Sequence, residues 1–225
     1  MYAMKFIVLL IITLLPGMAL SDTLSVMNAK LKAITQNKNH LATAIQNGQD
    51  RAALCGFCHG TNGVSSRPYI PNLAGQHPAY LWRQFDNFAN GKRMSTVMSP
   101  LSRDLSRDEI INLSLFYSSL PVESSTNDSG VDKPELVHEG KTLYRTQCMQ
   151  CHGKNGEGKD LFPRLAGQKV KYIKNTLALF ASPQSDKGDA LLFDSERSNP
   201  VMVSILKKLR PEQINAIANY LASLR

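Results

Sequence analysis

The chain's four cysteines all fall in two C-x-x-C-H pentapeptides, Cys55-Gly-Phe-Cys58-His59 and Cys148-Met-Gln-Cys151-His152. The spacing has a chemical reading. Two thiols three positions apart lie about one helical turn apart. They can add to the two vinyl groups on one edge of a porphyrin, and the imidazole that follows can bind its iron from one face. Other uses of four cysteines fit less well. Two disulfides would suit an exported chain, but they need no histidine. Zinc-ribbon pairs lie much closer together than the 93 residues found here. A thioredoxin-like redox pair would occur once, in a strand–helix–strand setting. The pattern predicts two covalently bound haem c groups, one on Cys55 and Cys58 and one on Cys148 and Cys151, with His59 and His152 as axial ligands to iron.

The opposite iron face needs a second ligand, water, or nothing, and methionine or histidine is the usual choice. In the second half Met149 lies inside the attachment motif and His138 precedes it by ten residues, which favours Met202. In the first half Met27, Met94, Met98, His40 and His77 compete. A shared register decides: Met98 lies seven residues before Leu105 and Met202 seven before Leu209, each leucine opening a closing helix. The alternative for a methionine is core packing.

The register belongs to a wider internal repeat. After each attachment motif come P-x-L-A-G-Q and a tyrosine: Pro71 to Gln76 with Tyr80, and Pro163 to Gln168 with Tyr172. Pro71 and Pro163 have two readings. Each could present its carbonyl to the axial histidine Nδ1–H, or could simply bend the chain. The halves end in similar helices. One carries the apolar stripe Ile110, Leu113 and Tyr117 behind a Ser106/Glu109 capping box, the other Ile214, Ile217 and Leu221 behind Pro211. No β-strand pattern is present. The expected plan is all-α: residues 48–120 and 135–225 as two tandem domains, joined by a polar linker over 121–134.

Ahead of these domains lie two further segments. Residues 1–21 read as a secretory signal peptide, with Lys5, an apolar run from Phe6 to Leu15, and small residues before a cut after Ser21. Residues 22–47 read as one extra amphipathic helix, with Leu24, Met27, Leu31, Ile34, Leu41 and Ile45 on one face and Lys38 interrupting. That face either packs on its own domain or docks on a partner subunit or membrane surface.

The formal net charge is +8. Residues 22–120 carry ten Lys or Arg against six Asp or Glu, residues 138–225 fourteen against eight, and residues 121–137 one against four. Both halves are basic and the join is acidic. No Lys/Arg run of nucleic-acid type occurs, which leaves an anionic membrane surface or an acidic protein partner for the charge.

Two C-x-x-C-H-G motifs, each followed by P-x-L-A-G-Q and Tyr, resemble the cytochrome c4 family over residues 48–225. The resemblance implies two class I cytochrome c domains related by a pseudo-twofold axis, with haem propionates near their interface. It implies His59/Met98 and His152/Met202 ligation, carbonyl bonds from Pro71 and Pro163 to the axial histidines, and a periplasmic electron carrier. Its expected partners are redox proteins: a donor such as a quinol-oxidising complex and a terminal oxidase as acceptor. Two features depart from the pattern: the segment 22–47, and a longer loop over 182–199 that lengthens the second histidine-to-methionine interval. Two rival functions remain, a cytochrome subunit fixed to a dehydrogenase such as a flavocytochrome, and a di-haem peroxidase. The latter needs an open iron face, which two well-placed methionines argue against.

Overall fold

The computed structural model describes residues 19–122, 133–181, 196–197 and 199–224. Most of the expected leader, the centre of the linker and most of the 182–199 loop lie outside them.

In the first half α1 (Ala19–Gln36) and α2 (Lys38–Arg51) are followed by α3 (Gly56–His59), α4 (Pro78–Ala89), α5 (Met98–Arg103) and α6 (Arg107–Ser119). The second half runs α7 (Val137–Gln147), α8 (Met149–His152), α9 (Val170–Ala181), α10 (Pro200–Leu206) and α11 (Pro211–Ser223), with a 3-10 turn at Pro134–Leu136 leading in. The halves follow one plan. The opening helix crosses the closing helix, α2 on α6 and α7 on α11. The helix after the haem-attachment turn packs on the closing helix, and the short methionine-bearing helix packs beside it.

The closing helices fold as their apolar stripes dictate. Ile110, Leu113 and Tyr117 are buried in one core, and Ile214, Ile217 and Leu221 in the other. Burying one such side chain is worth about 1.5–3 kcal/mol. Ser106 caps α6, accepting from the Glu109 N–H at 3.2 Å while Glu109 accepts from the Ser106 N–H at 2.8 Å. The two long crossings meet at glycine. A Cβ on Gly48 would overlap the Asn112 carbonyl, and one on Gly140 would overlap the Ala216 carbonyl.

Residues 22–47 do not form one helix. The backbone breaks at Asn37, whose side chain accepts from the N–H groups of Asn39 and His40 and so caps α2. Only α1 is additional, because α2 fills the place that α7 fills in the second half. The stripe on α1 turns inward: Met27 and Leu31 are buried in the first core, with Ile34 partly buried against it. Those residues are therefore committed to the chain's own core.

The halves meet through two devices. A two-residue antiparallel bridge pairs β1 (Arg93–Met94) with β2 (Glu196–Arg197), Arg93 opposite Arg197. Two residues are too few to show a strand period in the sequence. The second device is a reciprocal clamp. The Gln76 side chain bonds both backbone groups of Arg164, and the Gln168 side chain bonds both backbone groups of Asn72. His77 Nε2 also lies 2.8 Å from the Glu157 carbonyl across the same interface.

Candidate functional site

Each attachment motif winds as a single tight turn. In the first, the His59 N–H donates to the Cys55 carbonyl at 3.0 Å, and in the second the His152 N–H donates to the Cys148 carbonyl at 3.0 Å. This sets both cysteines and the histidine of each half on one short helix. None of the four cysteines is paired in a disulfide. Burial pushes the Cys148 thiol up to about 11, with the neighbouring Cys151 adding to it. Burial raises the Cys55 thiol as well.

Both axial candidates are buried imidazoles. His59 Nδ1 lies 3.0 Å from the Pro71 carbonyl and His152 Nδ1 lies 3.2 Å from the Pro163 carbonyl. Burial lowers the pKa of both rings against the opposing effect of these bonds. Each ring is therefore neutral, with Nδ1–H donating to the carbonyl and the Nε2 lone pair left for a metal.

One continuous cavity of about 1130 Å³ runs through both halves. An ordinary small-molecule pocket holds about 300–1,000 Å³, so this space lies just above that range. Cys58, His59 and Met98 line it from the first half, and Cys151, His152 and Met202 from the second. The backbone sets the two methionines alike. The Met98 N–H donates to Ser95 Oγ and the Met202 N–H donates to Asn199 Oδ1, each at 3.1 Å and three residues back. The other candidates lie elsewhere. Met27, on α1, is buried in the first core and Met94 is exposed. His40 lies exposed on α2, and His77 belongs to the interface.

Arg93 and Arg197 were not singled out by the sequence reading, yet both are buried and both line the cavity. Arg93 Nη1 donates to Gln84 Oε1 at 2.8 Å and stacks over the Phe88 ring. Arg197 stacks near Tyr172 and Phe180. The repeat held the signal, because each arginine lies five residues before its half's methionine. A cavity with a motif thiol, a neutral imidazole and a thioether from each half, and two guanidinium groups at the domain junction, fits two porphyrins with carboxylate side chains.

Comparison with known proteins agrees. The cytochrome c family profile matches residues 137–225. Cytochrome c4 of Azotobacter vinelandii is 32% identical over 205 residues, covering 82% of this chain and 91% of the relative. The chain belongs to the cytochrome c4 family. The crystal structure of reduced recombinant cytochrome c4 from Pseudomonas stutzeri superposes with a TM-score of 0.66 at 29% identity, covering 80% of this chain and 98% of that one. A protein named thiosulfate dehydrogenase electron acceptor, from Thiomonas intermedia, is 29% identical over 180 residues, with 76% of this chain and 79% of that protein covered.

This member of the family is accordingly an all-α protein of two tandem class I cytochrome c domains. It carries two covalently bound haem c groups. Its activity is electron transfer with redox partners, not turnover of a substrate. The haems supply the one-electron chemistry. The chain holds each histidine ring in one tautomer and orientation and keeps it neutral in a largely apolar cavity. Among the described residues no helix is long and apolar enough to cross a membrane.

Proposed function

We propose that the protein is a periplasmic carrier that takes electrons from a donor such as a quinol-oxidising complex and delivers them to a respiratory terminal oxidase. Cys55 and Cys58 hold one haem and Cys148 and Cys151 the other. His59 with Met98, and His152 with Met202, close both iron faces. A six-coordinate iron that keeps its ligands reorganises little between oxidation states, which suits outer-sphere transfer. The observation that carries this reading is the cavity wall, to which each half contributes the second cysteine of its motif, the histidine after it and one methionine. The peroxidase alternative has no open face to use under this ligation. Residues 1–21 serve as the export signal, and residues 38–120, opened by α2, and 135–225 as the two haem domains.

A second reading keeps the chemistry and changes the partner. The likeness to thiosulfate dehydrogenase electron acceptors favours a cytochrome that receives electrons from a dehydrogenase, loosely or as a fixed subunit. One experiment separates the two. Adding the ferrous protein to oxidase-containing membranes of its host should produce oxygen uptake that depends on the cytochrome. No uptake, together with co-elution with a dehydrogenase from a native extract, would replace the free carrier with the bound subunit.

A further inference from the structure

The peptide group between Pro71 and Asn72 faces two ways. Its carbonyl accepts from His59 Nδ1–H at 3.0 Å. Its N–H donates to Oε1 of Gln168, in the other half, at 2.9 Å. The peptide group between Pro163 and Arg164 repeats the arrangement. Its carbonyl accepts from His152 Nδ1–H at 3.2 Å, and its N–H donates to Oε1 of Gln76 at 2.8 Å. Each glutamine then closes a second bond onto the same residue, from Gln168 Nε2 to the Asn72 carbonyl at 3.0 Å and from Gln76 Nε2 to the Arg164 carbonyl at 2.9 Å. These pairs fix which end of each amide is oxygen, since a flipped amide would set donor against donor and acceptor against acceptor. Both glutamines are buried.

We propose that Gln168 tunes the haem of the first half and Gln76 the haem of the second, each acting across the interface through one peptide group on the axial histidine. The proposal rests on the reading of His59 and His152 as iron ligands. A peptide group is conjugated through its C–N bond. An acceptor on its N–H draws charge toward the carbonyl oxygen, and hydrogen bonds in such a chain strengthen one another. A more negative Pro71 carbonyl is a better acceptor for the imidazole N–H. The ring then gains imidazolate character and becomes a more basic ligand. A more basic ligand favours ferric over ferrous iron and holds the potential down. The two glutamines are therefore positioning residues that tie the potential of each haem to an intact domain interface.

The sequence shows the repeated glutamine at the end of P-x-L-A-G-Q but not its crossed partner. Crossing is what separates this relay from simple packing. The test uses the full-length di-haem protein with Gln168→Met, Gln76→Met, Gln168→Glu and Gln76→Glu. Methionine keeps the volume and removes both cross-interface bonds, along with the one each Oε1 accepts from the N–H of the next residue, His77 or Lys169. Glutamate keeps an acceptor for the peptide N–H and loses the bond to the carbonyl. Potentials are read haem by haem from NMR-monitored redox titration. In Gln168→Met the potential of the haem on Cys55 and Cys58 should rise while the other stays put, and Gln76→Met should do the converse. The glutamate variants should show no rise at either haem. Both potentials moving together, neither moving, or glutamate behaving like methionine would overturn the relay. A haem that lacks a histidine ligand in the unaltered protein would instead remove the ligand assignment beneath it.

Discussion

Arg93 and Arg197 stand opposite one another in the antiparallel bridge between the halves, and Tyr172 OH accepts from both, at 3.4 Å and 2.8 Å. The bridge thus sets two guanidinium charges in the wall of the haem cavity. A buried positive charge opposes the extra positive charge of ferric iron. At an effective dielectric of about 20, a unit charge about 10 Å away is worth roughly 1.7 kcal/mol. Arg197→Gln is therefore expected to lower the haem potentials by several tens of millivolts, measured by potentiometric titration. Arg93→Gln should act in the same direction.

Replacing Met98 by Ala should remove methionine ligation at one haem and leave the other intact. The far-red absorption of the ferric protein reports each methionine–iron bond and should fall by about half, with Met202→Ala giving the matching loss. An unchanged spectrum in either variant would show that the wrong methionine had been chosen.

Alanine at Gly48 or Gly140 tests the two helix crossings. Helix propensity alone favours alanine over glycine by about 1 kcal/mol. The added methyl would overlap a backbone carbonyl, which cannot rotate away as a side-chain tip can. Overpacking costs about 1–3 kcal/mol, so a net loss of stability is expected for either variant in urea unfolding. No loss would mean that the crossing helices separate more easily than the structure shows.

Glu109 is one contributor to acid sensitivity. The Ser106 cap and the Arg51 guanidinium hold the Glu109 carboxyl down at about 2, below its ordinary value of 4.5. Its folded pKa is depressed, so its contribution to stability is fully present above the ordinary value. That contribution is lost as pH falls from about 4.5 through about 2. Glu109→Gln should be less stable than the unaltered protein at pH 7, with the gap narrowing toward pH 2 in parallel melts. Arg51 and Glu109 are both partly exposed, so solvent screens the effect and salt should reduce it.

Local chemistry was legible in the sequence, and contacts between the halves were not. The C-x-x-C-H turns could be read because their spacing is itself the chemistry. The closing helices could be read because Leu113 and Ile217 lie on stripes of helical period. The segment 22–47 read as one helix because α1 and α2 both present apolar residues to one core, so the period runs on through the break. Lys38, which interrupts that period, and Asn37, the cap just before it, marked the true boundary. Arg93 and Arg197 meet only through a two-residue bridge, where no alternation can develop. Gln76 and Gln168 stand out as repeated residues, but a repeat reports likeness between halves and not which residue of the other half each one touches.

The central claim is that one chain binds two haems by paired thioethers and exchanges electrons through both without opening either iron. An optical redox titration of the protein matured in its native host tests it most directly. The account predicts two electrons per chain, low-spin spectra throughout, and far-red methionine absorption from both ferric haems. A single electron per chain, or a high-spin haem that readily takes up cyanide, would contradict it.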